Sequence, residues 1–272
     1  QELRRMAMNA VVDERTLREI YLTGFEIAIE EGKAHALMTS YNQVNGIYSN
    51  ENTHLLKDIL RDEWGYDGIV ITDWGGSNDH VKGVAAGSDL EMPTPGMDSA
   101  RQIVSAVKDG RLKESSVDAC VDRMLEAVLT LTKDDVENDL KDKGDFDREG
   151  HHALARKAAR KSAVLLKNKE SILPLKPGTH VALIGDFAFE PRYQGAGSSM
   201  VNVTKLDRMT DLIGEYDLVL EGASRGYARS GEEDEVLSKE AVDLARSADV
   251  VIYCFGLDEL SESEGIDRTH MR

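Results

Sequence analysis

Cysteine is almost absent from this chain: Cys120 and Cys254 are the only two in 272 residues, and no CxxC or Cys/His spacing surrounds either. That excludes a disulfide framework and a zinc site of the usual ligand spacing, and it reads both as buried thiols. Long apolar runs are missing too. None approaches the roughly 20 residues that a membrane-spanning helix needs, and no charged-then-apolar leader opens the chain. Positive charge is in deficit: 33 Lys and Arg against 50 Asp and Glu give a net charge of −17. This opposes contact with a phosphate backbone, so neither nucleic acid nor membrane is expected as a partner. The seven histidines show no HExxH pattern and no paired carboxylate, which reads them as surface or helix-cap residues. No metal and no cofactor are expected, and the location is read as cytoplasmic.

What is present is the composition of a folded protein. Hydrophobic residues make up 41% and charged residues 31%, enough for one large or two ordinary domains. Leu17, Ile20, Tyr21, Phe25 and Ala28 recur at three- and four-residue steps behind Asp13, predicting a helix over 14–31 with Asp13 as its cap and Gly32 as its stop. A strand follows over 34–41, then a loop over 42–52 with Asn45-Gly46 as turn signal, a helix over 53–64 and a strand over 68–72. A helix over 76–86, a short strand over 88–91 and helices over 99–109 and 115–132 complete this half. Strand and helix in alternation mean parallel strands with crossover helices, an α/β class. Only three strands are visible, and their open edges leave an oligomer possible.

Residues 133–150 change character: twelve of the eighteen are charged, the mark of a solvated linker. A second α/β unit follows, with helices over 151–166 and 236–247 and strands over 181–185, 217–220 and 249–255. The expected domains are therefore 1–132, a linker over 133–150, and 151–272.

The chemistry concentrates at two places. Gly68-Ile69-Val70-Ile71-Thr72 is an apolar strand that ends on Asp73, followed at once by Trp74. Catalytic groups in alternating α/β folds sit at the carboxyl ends of strands, and an indole offers a flat plate for a sugar ring. The competing reading makes Asp73 the N-cap of a helix starting near Gly76 or Ser77. Glu264 lies in Ser263-Glu264-Gly265, past the apolar strand 249–255, where ligands commonly bind; alone it also reads as one acid among fifty facing solvent. Two carboxyl groups facing one sugar are the minimum apparatus for glycoside hydrolysis. The Gln194-Gly195-Ala196-Gly197-Ser198-Ser199 loop lacks the third glycine or the Lys of a nucleotide motif, and reads equally as a loop closing over a substrate.

The chain resembles family 3 glycoside hydrolases, the β-glucosidase group, across nearly all its length. The resemblance rests on Asp13-Glu14-Arg15-Thr16-Leu17, Met38-Thr39-Ser40-Tyr41-Asn42, Glu63-Trp64-Gly65-Tyr66-Asp67-Gly68 and Thr72-Asp73-Trp74-Gly75 in the first half. Leu154-Ala155-Arg156-Lys157-Ala158-Ala159, Val164-Leu165-Leu166-Lys167-Asn168, Leu173-Pro174-Leu175 and Ser263-Glu264-Gly265 with Asp267-Arg268 carry it in the second. It implies the C-terminal part of a (β/α)8-type barrel, carrying the nucleophile, followed by the start of an α/β sandwich that carries the acid/base. It further implies a retaining glycosidase acting on β-glucosides or oligosaccharides from the non-reducing end. Asp73 matches the nucleophile, Glu264 the general acid/base, Tyr41 a hydroxyl near the nucleophile, and Trp74 the wall beside the sugar. The family's sugar-gripping Lys, His and Arg are expected upstream of Gln1, so the isolated piece is expected to be inactive. Within the family, β-xyloside, α-arabinoside and β-N-acetylhexosaminide remain alternative substrates, and a non-catalytic carbohydrate-binding relic an alternative role.

Overall fold

The computed structural model describes residues 2–138 and 146–270. The described residues form two compact units, one within 3–138 and one within 146–270.

In the first unit, Asp13 caps the first long helix: its carboxylate accepts from the Thr16 N–H at 3.0 Å and from the Thr16 hydroxyl at 2.8 Å. The helix begins as Glu14–Thr16, widens through Leu17–Leu22 and regains α geometry over Thr23–Glu30. At the point of change the Thr23 hydroxyl donates to the carbonyls of Arg18 and Glu19, the kind of insertion into the backbone ladder that distorts a helix. Leu17 is buried as periodicity predicts, whereas Ile20, Tyr21, Phe25 and Ala28 on the expected core face are exposed, and the buried residue near the helix end is Ile29. Tyr21 and Phe25 instead line an apolar groove of about 780 Å³ with Met8, Leu37, Met38 and Ile59, within this unit.

Strand β1 (Asn9–Ala10) runs parallel to β3 (Gln43–Val44), and β2 (Ala36–Thr39) precedes β3 in the chain. Strand β4 (Ile47–Tyr48) returns antiparallel to β3 through Asn45 and Gly46, with φ of 51° and 88°. Two successive positive φ values are what a two-residue hairpin of primed type demands, and Asn-Gly supplies them at least cost. The segment 42–52, expected as loop, thus contains a small hairpin, which Asn45 ties to Val12 by accepting from its N–H and donating to its carbonyl.

The helix His54–Glu63 buries Leu56, Ile59 and Leu60, and delivers the chain to β5 (Ile69–Thr72). Strand β5 pairs in parallel register with β2, Ala36 opposite Ile69 through Thr39 opposite Thr72. Its continuous apolar run is the signature of a strand covered on both faces, and Val70 is fully buried. Beyond it, the expected strand over 88–91 is a single parallel bridge, Ile71 to Leu90, made by the Thr72 N–H on the Leu90 carbonyl and the Leu90 N–H on the Val70 carbonyl. Asp89 fixes this arrangement. Its carboxylate is wholly buried and accepts from Arg61 at 2.9 Å, Arg123 at 2.7 Å and the Val70 N–H at 2.8 Å.

Helices Met97–Lys108 and Glu114–Asn138 close the first unit, and Arg148–Ser162 opens the second. Both ends of the segment expected as a linker are therefore helical, and its residues 139–145 lie outside the described residues. The second unit is built on a parallel sheet of order β7-β6-β8, with β6 (Thr179–Ile184) central, β7 (Leu218–Ser224) and β8 (Val250–Tyr253). Val181, Ala182 and Leu183 are fully buried. The helix Glu235–Ala245, capped by Asp234, packs Ala241 against Ala182 and Ile184.

Both units are α/β, as expected. The described residues of the first unit give a two-stranded parallel sheet with one bridging residue, and a separate three-stranded sheet, which do not by themselves show the part-barrel that the resemblance implies.

Candidate functional site

In the first unit the site begins where β2 and β5 end. The ladder continues one residue past β5, with the Asp73 N–H donating to the Thr39 carbonyl at 3.3 Å. The chain then turns sharply: the Asp73 carbonyl accepts from the Gly76 N–H at 2.8 Å, and the Gly75 N–H donates to the Met92 carbonyl at 2.7 Å. The half-buried Asp73 carboxylate accepts from the Trp74 N–H at 2.6 Å. The capping alternative for Asp73 is excluded, because the next helix, His80–Ala86, starts later and is capped by Asp79. Tyr41, two residues beyond β2, donates its hydroxyl to the Trp74 carbonyl at 3.0 Å, and the Arg5 guanidinium lies over its ring. Trp74 leaves 64% of its surface exposed at the mouth of the strand pair. Tyr41, Asp73 and Trp74 are thus one cluster at the carboxyl end of a parallel sheet.

Two residues at the same sheet end escaped the sequence reading. Glu91 follows the bridging Leu90 and pairs with His80 at 3.0 Å, while the His80 ring also meets the Ser77 hydroxyl at 3.1 Å. The signal for Glu91 was the same as for Asp73, an acid closing a short strand candidate.

In the second unit Glu264 sits in the long segment after β8, in a turn closed by the Ile266 N–H on the Ser263 carbonyl at 3.0 Å. Its exposed carboxylate accepts from the Ser198 hydroxyl at 2.6 Å and the Ser198 N–H at 3.2 Å. The glycine-containing loop over 194–199 therefore meets this acid. Gly197, at φ 83°, allows the approach: a Cβ there would lie 3.0 Å from Glu264 Oε2.

Arginines dominate the support of this segment. Arg192 donates to the carbonyls of Leu257, Asp258 and Glu262, Arg229 bridges Asp186 and Glu259, and Arg268 pairs with Glu262. Asp186, buried after β6, also holds Arg225. The buried Asp258 is held below the ordinary carboxylate value, chiefly by hydrogen bonding from Ser261. The sequence announced neither Arg192 nor Arg229 in this role, since their partners lie 30 to 70 residues away.

Other chemistries find little support among the described residues. No group of three or more His, Cys, Asp or Glu is placed to hold a metal ion. Burial pushes the Cys120 thiol up to about 11 and raises Cys254 as well, so neither is poised as a thiolate nucleophile. Among the described residues no helix is long and apolar enough to cross a membrane.

Comparison with known proteins gives these positions a context. Residues 7–127 match the glycosyl hydrolase family 3 N-terminal domain, and residues 163–272 match the C-terminal domain of that family. The thermostable β-glucosidase B of Acetivibrio thermocellus is 44% identical over 274 residues, covering 100% of this chain and 36% of that protein. An exo-α-(1→6)-L-arabinopyranosidase of Bifidobacterium breve is 40% identical over 277 residues, covering 98% of this chain and again 36% of its own length. Among solved structures, the Bifidobacterium adolescentis GH3 β-glucosidase superposes with a TM-score of 0.87 at 39% identity, over 99% of this chain and 39% of that one. The β-glucosidase 3B of Thermotoga neapolitana in complex with glucose does so at 0.82 and 29% identity, over 100% and 41%. The chain spans a little over a third of the length of the curated relatives it matches, 36% in both.

Proposed function

This chain belongs to glycosyl hydrolase family 3, and we propose that it is the part of a retaining β-glucosidase that carries both reacting carboxylates. The observation that carries the reading is the Tyr41, Asp73 and Trp74 cluster at the carboxyl ends of β2 and β5, where α/β enzymes hold their reacting groups. In the whole protein the first unit belongs to a (β/α)8-type barrel and the second to an α/β sandwich. The expected domain limits, 1–132 and 151–272 about the 133–150 segment, are part of the same proposal.

In the reaction, the Asp73 carboxylate attacks the anomeric carbon of a non-reducing-end β-glucosyl unit while Glu264 gives its proton to the departing glycosidic oxygen. The C–O bond to the aglycone breaks and an ester bond to Asp73 forms. Water then attacks the anomeric carbon as Glu264 takes its proton, the bond from that carbon to the Asp73 carboxylate breaks, and glucose leaves with its β configuration kept. That sequence requires the two carboxyl groups about 5 Å apart in the substrate-ready enzyme. Trp74 offers the sugar ring a flat apolar face. Tyr41 acts through the backbone: by holding the Trp74 carbonyl it fixes the residue next to the nucleophile.

Glucose is favoured as the sugar by the β-glucosidase relatives and by the glucose complex of a structural neighbour. The arabinopyranosidase relative supports an α-arabinoside as the second reading. We place the protein in the cytoplasm, a reading supported by its two free thiols. In the full-length protein, Asp73→Ala should lower hydrolysis of an activated aryl β-glucoside on the order of 10⁴-fold or more, the scale on which a catalytic nucleophile acts. Ordinary turnover by that variant rejects the nucleophile assignment. A panel of aryl glucosides, arabinosides and xylosides separates the sugar readings.

A further inference from the structure

We propose that Arg192 is a positioning residue for the acid/base Glu264, a proposal that rests on the glycosidase reading above. Arg192 is half-buried, and its guanidinium donates from Nη1 to the carbonyls of Leu257 at 3.0 Å and Asp258 at 3.2 Å, and from Nη2 to the carbonyl of Glu262 at 2.7 Å. Among the described residues it makes no ion pair with a carboxylate. A cation in a chain with 50 acids that is spent on three main-chain oxygens is shaping backbone.

Two of the three oxygens belong to one turn, and the Leu257 carbonyl directly precedes it. Asp258 starts it by accepting from the Ser261 N–H at 2.7 Å, and the Glu262 N–H donates back to the Asp258 carbonyl at 3.2 Å. Carbonyl dipoles gathered in this way repel one another unless a donor fork lies between them, and guanidinium is the side chain whose rigid planar fork does this. Glu262 is two residues before Glu264, so the last of these bonds sets where the chain stands as it enters the acid's own turn. Sequence separations of 65 to 70 mean that no local preference can substitute for it.

The consequence is specific to proton donation. An acid displaced by about 1 Å costs on the order of a hundredfold in rate, but only where the leaving group needs the proton. In the full-length enzyme, Arg192→Ala should therefore lower kcat/KM about 30- to 100-fold for an alkyl β-glucoside, whose aglycone leaves poorly, and less than about threefold for a dinitrophenyl β-glucoside. Arg192→Lys, which can reach one or two of the three oxygens, should recover part of the loss and carries the test if the alanine variant does not fold.

Glu264→Ala run in parallel separates two kinds of failure. If Glu264→Ala shows the leaving-group split and the Arg192 variants show equal loss on both substrates, or none, the positioning role is overturned while the acid/base reading stands. If Glu264→Ala shows no split, the acid/base reading falls and this proposal falls with it. A split in both, partly restored by lysine, is the expected result.

Discussion

Asp73 and Glu264 occupy comparable places, each beyond the carboxyl end of a parallel strand, but they are held there by different means. Asp73 is the residue next to Thr72, the last of β5, and main-chain hydrogen bonds to Thr39 and Gly76 fix its backbone on both sides. Glu264 lies eleven residues past Tyr253, the last of β8, and its segment is held by side chains: Arg192, Arg229, Arg268 and Ser198. The first acid is placed by secondary structure and the second by a set of side-chain contacts. The proposed nucleophile, placed by a strand, has little freedom. The proposed acid/base, placed by side chains, can be shifted by one substitution that leaves the sheet intact.

The largest effect on stability that follows from this contrast is at Asp89. Asp89→Ala removes the buried carboxylate that holds Arg61, Arg123 and the Val70 N–H, leaving two partly buried arginines without their partner. Breaking a buried pair from one side costs about 3–5 kcal/mol, and the loss should fall on the first unit. Native-state hydrogen exchange is the measurement: the amides of β5 should lose protection and those of β6 should keep it. Equal loss in both would erase the distinction between a strand-held and a side-chain-held site.

A smaller effect, in the second unit alone, is a pH dependence at its sheet. The exposed His180 ring on β6 pairs closely with Glu221 on β7, which raises the His180 pKa above its ordinary value of 6.5. A group whose folded-state pKa is raised stabilises the fold fully below its unfolded value, and that contribution disappears as pH rises through the folded value. His180→Asn should therefore destabilise the protein more at pH about 5.5 than at about 8.5, modestly and less in high salt, because the pair faces solvent. Denaturant midpoints of the two proteins at both pH values decide it, and a deficit that grows with pH would contradict the pairing.

The strands and helices around Asp73 were legible because each rests on local pattern: the apolar run 69–72, the Asp13 cap with its three-residue reach, and Asn45-Gly46 as a turn. Even there, Asn45-Gly46 gave a turn but not the two-residue strands flanking it, which are too short for alternation to register. Periodicity pointed Tyr21 and Phe25 inward, and it is blind to whether any element lies over them. The acid itself, Glu264, could be named from its motif. Its support could not, because no local pattern marks Arg192 or Arg229, and only folding brings Arg192 to Leu257, Asp258 and Glu262. Asp89 was hidden for the same reason, since burial and the two arginines that permit it come from three separate segments.

The central claim is that Asp73 forms a covalent bond to the sugar. Incubating the full-length protein with a fluorinated glucosyl inhibitor that stalls after the first step, then digesting it and mapping the added mass, tests that claim directly. The label should fall on Asp73 within the peptide that spans Thr72 and Trp74. A label on another residue, or none while the enzyme still turns over substrate with inversion, would contradict it.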